Sequence, residues 1–350
     1  MILALKARRS AMPFGAVMAT GGASQLARSD ALHAMAVPLL WLAVAEIGAI
    51  TLLGLLRCRS LDATVTELPG STRPAERFGD FTIPVGLAVT GTGLAALGTP
   101  KTLGCALCAT ALAWVTTMAV AGQVAMPVAV RRPGVVAVDG AWFLAPAALL
   151  ADAVGTAVVV HRLPVPMRLS VEWLALVGCG VGIVGYGLVL ALAALRVRRA
   201  GIGRAPRAPW WVSAGCGGLA AASLGQVSAV SPAGLGSAAG RGFTTAAVVA
   251  WAVGSALLVP VVAGSLAYLW NLRRLQGSPP WPPTFSTGVY ALGSSQAGRL
   301  GHLHALGLVG GSAGLATVAL WLVTAVLWLA LVGFPAATAR WRSTGPPTKT

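Results

Sequence analysis

The sequence predicts an all-α integral membrane protein with ten transmembrane helices that pair as five helical hairpins. Three observations lead to this prediction. Of the 350 residues, 56% are hydrophobic and 10% are charged, whereas a soluble domain carries about 25% charged residues. Apolar segments recur along the whole chain, and lysine and arginine concentrate in alternate loops between them. The composition also excludes a disordered chain, because disorder accompanies low hydrophobicity.

Ten apolar segments are long enough to cross a bilayer, which takes roughly 20 residues of helix. They lie at 12–27, 33–56, 79–98, 102–126, 141–160, 170–195, 209–231, 243–269, 284–302 and 306–334. The first and the ninth are short and rich in glycine, serine and threonine. We interpret residues 1–338 as a single ten-helix transmembrane domain and residues 339–350 as a short polar cytoplasmic tail.

The distribution of positive charge predicts the orientation of the spans. If the N-terminus is cytoplasmic, the inside loops receive 19 of the 25 lysine and arginine residues and the outside loops receive 6. This asymmetry satisfies the positive-inside rule with ten spans and both termini in the cytoplasm. The net charge of +16 comes from these loop residues and is explained by membrane topology. We therefore expect lipid contacts and no nucleic-acid partner, because nucleic-acid binding requires a basic stripe on a folded surface.

Aromatic residues and prolines recur together at the cytoplasmic starts of the odd-numbered spans. Their period is roughly 60–75 residues, the length of a helical hairpin with its loops, which indicates a repeated unit. Parallel repeats are related by an axis along the membrane normal. The alternative is that interfacial tryptophan and helix-starting proline are common in membrane proteins. The recurring residues are Pro13, Phe14, Phe78, Phe81, Pro84, Trp142, Phe143, Pro146, Pro209, Trp210, Trp211, Trp281, Pro282, Pro283 and Phe285.

Polar side chains and glycines concentrate in the odd-numbered spans, whereas the even-numbered spans are more uniformly leucine, valine and alanine. Polar groups inside a bilayer turn toward protein or water. The division therefore predicts odd helices around a central pore and even helices facing lipid. The alternative, favoured for any single residue, is that serine, threonine and glycine only mediate helix packing. The candidate pore-lining residues are Phe14, Thr20, Phe81, Thr82, Pro84, Phe143, Pro146, Asp152, Ser213, Thr284 and Ser286.

Two carboxylates fall near the predicted middle of the membrane. Glu46 lies on an even span and Asp152 on an odd span, and no lysine or arginine lies at a comparable depth. An intramembrane acid is a functional candidate by default, so Asp152 is a candidate for proton coupling. The alternative is a protonated acid that hydrogen-bonds a neighbouring serine or threonine, which is the favoured interpretation of Glu46.

The sequence shows no pattern for a metal site, a cofactor or catalytic chemistry. His302 and His304 are two residues apart, a spacing that places them on different faces of a helix. Cys105 and Cys108 form a CxxC pair without the second half of a zinc site. Walker and HExxH motifs are also missing from the sequence. We expect no catalytic residue, no bound metal, no cofactor and no enzymatic activity.

Five short segments at the starts of the odd spans carry a resemblance to a known family. They are Met12–Gly21, Phe78–Thr82 followed by Gly86, Gly140–Pro146, Pro209–Ser213 and Trp281–Ala291. The most specific is the last, WPPTFSTGVYA, which resembles the family's W…TFPxGxYA stretch. The sequence thus resembles the tellurite-resistance/dicarboxylate transporter family. That family includes the bacterial channel TehA, yeast malate and sulfite carriers, and the plant slow anion channel.

The resemblance implies a fold in which odd helices ring a central pore and even helices form an outer layer. It also implies a homotrimer with one pore per subunit. Phe285 matches the family's pore-plugging phenylalanine, so it is the expected pore gate. Two positions depart from the family pattern. Ser286 replaces the proline after this phenylalanine, and Asp152 introduces a charge that would repel a permeant anion unless it is protonated or faces away from the pore.

The expected function is a channel or carrier for small anions in a bacterial inner membrane. The anion would be a C4-dicarboxylate, sulfite, tellurite or an inorganic anion, and it would pass through a neutral pore gated by Phe285. An alternative is a non-transporting scaffold subunit of a larger complex, with the basic segment Arg196–Arg207 contacting a partner or lipid. A membrane-embedded enzyme is disfavoured, because the sequence has no ionisable cluster at depth.

Overall fold

The structure is a computed structural model that describes residues 12–29, 33–60, 78–131, 138–200, 210–230, 236–269 and 281–343. These residues form ten α-helices and no strand. The helices are α1 Met12–Ser29, α2 His33–Ser60, α3 Thr82–Leu97, α4 Pro100–Arg131, α5 Leu144–Val160, α6 Val165–Ala200, α7 Trp211–Val230, α8 Gly236–Leu269, α9 Trp281–Leu300 and α10 His304–Ser343. Short 3-10 turns, Gly79–Phe81 and Gly140–Phe143, lead into α3 and α5.

Each predicted span overlaps one of these helices, but the helix ends differ from the predicted limits. The 36 residues of α6 and the 40 residues of α10 exceed the roughly 20 that cross a bilayer. Both helices therefore continue into the loop regions of the sequence. The last helix reaches Ser343, and the division into a transmembrane domain to residue 338 and a polar tail from residue 339 stays a prediction.

Six helices in the described part of the chain are long and apolar enough to cross a membrane, namely α2, α4, α5, α6, α8 and α10. The shorter α3 is also apolar. These helices identify an all-helical, multi-pass membrane protein, as predicted. Glycine, serine, threonine and glutamine lower the mean hydropathy of α1, α7 and α9, the three remaining helices.

Each odd-numbered helix packs along the even-numbered helix that follows it. The connections are short: residues 98–99 join α3 to α4, residues 161–164 join α5 to α6, and residues 301–303 join α9 to α10. A loop of two to five residues between packed helices reverses the chain direction. These pairs are therefore antiparallel hairpins. Gly98 closes its turn with φ of 73°, a left-handed conformation that glycine adopts without steric cost.

The odd-numbered helices pack side by side in a closed cycle, in the order α1, α3, α5, α7, α9 and back to α1. We call this cycle the inner ring. The even helices lie outside it, where α4 also contacts α5, α6 contacts α7, α8 contacts α9 and α10 contacts α1. Burial agrees with this arrangement, because 17–33% of the apolar windows of the even helices are buried, against 78% for α5.

Glycines bring α7 and α9 into close contact within the inner ring. The contacting pairs, in order along both helices, are Gly215 with Ser286, Gly218 with Tyr290, and Gly225 with Gln296. The residue numbers rise together, so the two helices run parallel. Small residues allow this approach because their side chains leave the helix surface open.

Aromatic side chains gather at the N-terminal ends of α3, α5 and α7. Phe78 stacks on Trp142 with ring centroids 4.6 Å apart. Phe143 lies 6.3 Å from the ring of Trp210, and the Arg196 guanidinium lies 5.7 Å from the same tryptophan ring. The aromatic residues that recur along the sequence at the starts of these spans therefore meet at one end of the inner ring.

Candidate functional site

The interior of the inner ring is the candidate site, and α9 shows which of its side chains lie toward that interior. Ser286 and Tyr290 contact α7, and Tyr290 also shares a hydrogen bond of 2.8 Å with Ser255 of α8. On the opposite flank, a β-carbon on Gly288 would lie 3.3 Å from Thr317 of α10 and 3.6 Å from Leu26 of α1.

A stripe of side chains on α9 lies between the flanks that contact α7 and α1, and its member Gln296 also reaches Gly225 of α7. The stripe consists of Phe285, Val289, Leu292, Gln296 and Arg299. These residues are four, three, four and three positions apart, so they share one face of the helix. We call this face the interior stripe. It is apolar at the N-terminal half of α9 and polar near the C-terminal end.

Phe285 is buried in the protein, with 3% of its side chain exposed. It belongs to one apolar cluster to which all five helices of the inner ring contribute. The cluster includes Met18 of α1, Val85 of α3, Ala147 of α5, Leu219 of α7 and Val289 of α9. Phe285 is thus packed inside the helical bundle and does not face lipid.

The residue after Phe285 contacts a neighbouring helix. Ser286 is 1% exposed and lies against Gly215 of α7, where an added β-carbon would come within 2.9 Å of the serine Cα. Its hydroxyl has no hydrogen-bond partner within the described part of the chain. The helix α9 continues unbroken from Trp281 to Leu300 through this position, since serine, unlike proline, keeps the backbone N–H.

Open space borders α1 at Gly22. This glycine is buried, yet an added β-carbon would meet no atom of the described residues within 4 Å. Its neighbour Gly21 contacts Val89 of α3 instead. Gly22 therefore lies beside a space within the protein, on the part of α1 that follows Met18 by one helical turn.

Asp152 lies on the side of α5 that faces the outer helix α4. Its Oδ2 accepts a hydrogen bond of 2.6 Å from Thr117 of α4, and the residue is fully buried. Its Oδ1 has no hydrogen-bond partner among the described residues. The next turn of the same interface is joined by Trp114, which donates a 2.8 Å hydrogen bond to Thr156. The carboxyl group thus sits in a helix–helix contact.

Thr20 lies where α1 meets two outer helices. Its hydroxyl donates to Glu46 of α2 over 3.2 Å and accepts from the Trp321 indole of α10 over 3.0 Å. The second oxygen of Glu46 is buried without a partner in the described chain. The expectation that Glu46 hydrogen-bonds a neighbouring threonine agrees with this contact. Thr20 serves helix packing here, and its predicted place along the pore stays a prediction.

Several other candidate pore-lining residues also contact neighbouring helices. Phe143 lies 5.9 Å from the ring of Tyr186 on α6, and Pro146 packs toward Gly185 of the same helix. The backbone carbonyl of Ser213 accepts a 3.1 Å hydrogen bond from the Tyr186 hydroxyl.

The remaining candidates lie near the N-terminal ends of their helices. Phe81 is 3% exposed and pairs with the ring of Phe78 at 6.2 Å. Pro84 and Thr284 are buried, and Thr82 is half-buried. Phe14 belongs to the first turn of α1, and its side chain lies outside the described residues. The pore-lining role of all these residues stays a prediction.

Two glutamines of the inner ring lie outside the set of predicted pore-lining residues. Gln226 and Gln296 lie near the ends of α7 and α9, and Gln296 packs over Gly225. Each glutamine lies four residues before the end of its helix. This shared position is the sequence signal that could have drawn attention to them. No group of three or more potential metal ligands occurs in the described ranges.

One comparison with known proteins places the chain beside a known family. A family model described as "voltage-dependent anion channel" matches residues 10–329. The match covers all five segments of the resemblance, the whole of α1 to α9 and the first part of α10. No curated protein matches the chain.

Proposed function

The chain belongs to the voltage-dependent anion channel family, and on this premise we propose that it is a channel or carrier for small anions. The family consists of channels and transporters, not enzymes. The observation that carries the proposal is the inner ring, a closed cycle of five helices that all contribute to the apolar cluster in which Phe285 is buried. The anion would pass along the ring interior.

The proposed path is neutral along most of its length. The interior stripe contributes apolar side chains from Phe285 to Leu292, and Asp152 is turned to α4 by its hydrogen bond with Thr117. Such a path would select anions by weak hydrogen bonds and by surrounding positive charge, without tight binding. A neutral wall favours conduction, because an ion that binds weakly can leave again.

Phe285 is the proposed gate of this path. Its aromatic ring belongs to the interior stripe and is 3% exposed. A large apolar side chain at a constriction blocks ions sterically and by excluding water. Movement of the ring would therefore open the path.

The proposed arrangement in the membrane has ten spans as five hairpins, with both termini in the cytoplasm of a bacterium. Positive charge in the inside loops supports the orientation. The family resemblance supports a homotrimer. An apolar groove of about 560 Å³ on the outer surface, between α4, α5 and α6, offers a place for lipid chains or a second subunit.

Proton coupling through Asp152 is a further part of the proposal. Because the carboxyl group lies between α4 and α5, a change in its protonation would act on the contact between these helices. It would not place a charge directly in the ring interior. Protonation of Asp152 would therefore change how α5 packs against α4, and a shift of α5 would in turn change the path that it lines.

A flux measurement on the purified full chain tests the proposed function. The protein is reconstituted in liposomes, and the efflux of chloride, nitrate, sulfite and malate is followed after dilution. We expect flux above that of protein-free liposomes for at least one of these anions. A well-folded preparation that passes none of them contradicts transport and favours the scaffold alternative.

A further inference from the structure

Two chains of hydrogen bonds join α9, which carries Phe285, to the outer helix α8. The Tyr290 hydroxyl lies 2.8 Å from Oγ of Ser255, and Ser255 donates to the backbone carbonyl of Trp251 over 2.9 Å. The Trp251 indole donates to Ser294 over 2.8 Å, and Ser294 donates to the carbonyl of Tyr290 over 2.9 Å. A serine hydroxyl has one proton to donate. Because Ser255 gives its proton to Trp251, Tyr290 is the donor in its bond with Ser255.

Aromatic packing shelters the same contact. The rings of Trp251 and Tyr290 stack with their centroids 6.3 Å apart. Tyr290 and Ser294 are buried, whereas Trp251 and Ser255 are half-buried. A hydrogen bond is directional, and a buried donor that loses its acceptor cannot turn to water instead. These four side chains therefore attach α9 to α8 in one rotational setting.

The outer helix α8 is itself anchored to the inner ring by close packing on α7. A β-carbon on Gly217 of α7 would lie 2.7 Å from Cα of Gly254 of α8. The next residue of α7, Gly218, packs against Tyr290 of α9, so the three helices meet at one level. Glycine contacts limit how closely helices approach, but they have no preferred direction. The side-chain hydrogen bonds between α8 and α9 therefore set the rotation of α9 about its own axis.

That rotation also sets the position of Phe285, which lies five residues before Tyr290 on α9. At 3.6 residues per turn, the two side chains point about 140° apart. Tyr290 is thus directed to α8, while Phe285 belongs to the interior stripe. A side chain that ends roughly 5–6 Å from the helix axis moves about 2 Å when the helix rotates by about 20°. A rotation that parts Tyr290 from Ser255 therefore also displaces the Phe285 ring.

We propose that Tyr290 is a positioning residue for the gate, because its bond to Ser255 holds α9 in the rotation at which Phe285 closes the path. The inference rests on the proposed gate and names what regulates it. Loss of the bond frees the rotation of α9, so that the ring leaves the closed position more often. The outer helix α8 thereby controls conduction without lining the path.

The test measures anion efflux from liposomes that contain the full-length protein. Tyr290→Phe removes the hydroxyl and keeps the ring, and Ser255→Ala removes its partner on α8. We expect each variant to raise the flux about fivefold, the factor that one neutral hydrogen bond contributes to an equilibrium. The double variant should rise no further, since both changes remove the same bond. The matched control is Tyr186→Phe, which loses a 3.1 Å bond to the Ser213 carbonyl between α6 and α7 and should keep the wild-type flux.

A combination with Phe285 separates positioning of the gate from a general loosening of the fold. In the Phe285→Ala background we expect Tyr290→Phe to change nothing, because the ring that Tyr290 positions is gone. Phe285→Leu replaces that background if the alanine variant does not fold. Thermal unfolding in detergent reports whether each variant is folded.

The outcomes distinguish this inference from the function on which it rests. Should wild-type protein pass no anion, or should folded Phe285→Ala keep the wild-type flux, the transport function or the gate is overturned. Should Phe285→Ala raise the flux while folded Tyr290→Phe does not, the positioning role alone is overturned. The same holds if the effects of Tyr290→Phe and Phe285→Ala multiply, or if Tyr186→Phe raises the flux equally.

Discussion

Gly218 of α7 and Gly293 of α9 lie in direct backbone contact, so that a β-carbon on Gly293 would come within 2.7 Å of Cα of Gly218. Backbone atoms cannot move aside for an added methyl group as the end of a flexible side chain can. The contact therefore sets how closely these two helices approach, and with it the position of the interior stripe on α9.

We expect Gly293→Ala to destabilise the protein by about 1–3 kcal/mol, the usual cost of overpacking. The added methyl group would force α7 and α9 apart. Thermal unfolding of the purified protein in detergent measures the effect. The matched control is Gly187→Ala on α6, where a β-carbon would meet no atom within 4 Å. Equal stability of the two variants would contradict the close contact.

The gate hypothesis predicts that Phe285→Ala increases anion flux severalfold, because the ring no longer blocks the path. Single-channel recording or liposome efflux measures the change. Phe243→Ala on the outer helix α8 is the control and should leave the flux unchanged. Since loss of a buried phenylalanine costs about 3–5 kcal/mol, Phe285→Leu serves as a milder variant. Unchanged or lower flux in a folded variant counts against the gate.

The contact between Thr117 and Asp152 predicts a stability effect. Thr117→Val removes the donor and leaves the buried carboxyl group without a partner, at a cost of about 1–3 kcal/mol. The neighbouring Thr116→Val is the control, because the hydroxyl of Thr116 bonds only to the backbone of its own helix. Chemical or thermal unfolding in detergent compares the two. A loss no larger than that of the control would show that the bond contributes little.

The proton-coupling hypothesis predicts how a change at Asp152 alters the pH dependence of transport. Asp152→Asn keeps the shape of the side chain and can still accept from Thr117, but it cannot ionise. If transport is coupled to protons through Asp152, the variant should lose the pH dependence of flux while remaining folded. Efflux measured at several pH values decides the question. A wild-type pH profile in the variant excludes coupling at this residue.

The charge distribution predicts that both termini lie in the cytoplasm. Reporter fusions at the two ends in intact bacteria test this directly. A reporter that is active only in the cytoplasm should be active at both ends, and a periplasmic reporter at neither. Opposite results at the two ends would require an odd number of spans.

The limits of α1, α5 and α7 were predicted to within a few residues, because apolar segments bounded by loops are visible in the chain alone. The ends of α6 and α10 were not, since a helix continues past the bilayer wherever its sequence permits, and no hydropathy boundary marks that point. The family was predicted from five segments and is confirmed by the match over residues 10–329.

The sequence by itself determined the all-helical membrane class and the family, because these follow from composition and from the order of segments. Only the tertiary structure decided what each polar side chain contacts. The face that Asp152 turns to Thr117 and the level that Gln226 shares with Gln296 depend on how helices rotate and slide against one another. Those positions are set by contacts between distant segments, such as Gly218 with Gly293, which no local pattern encodes.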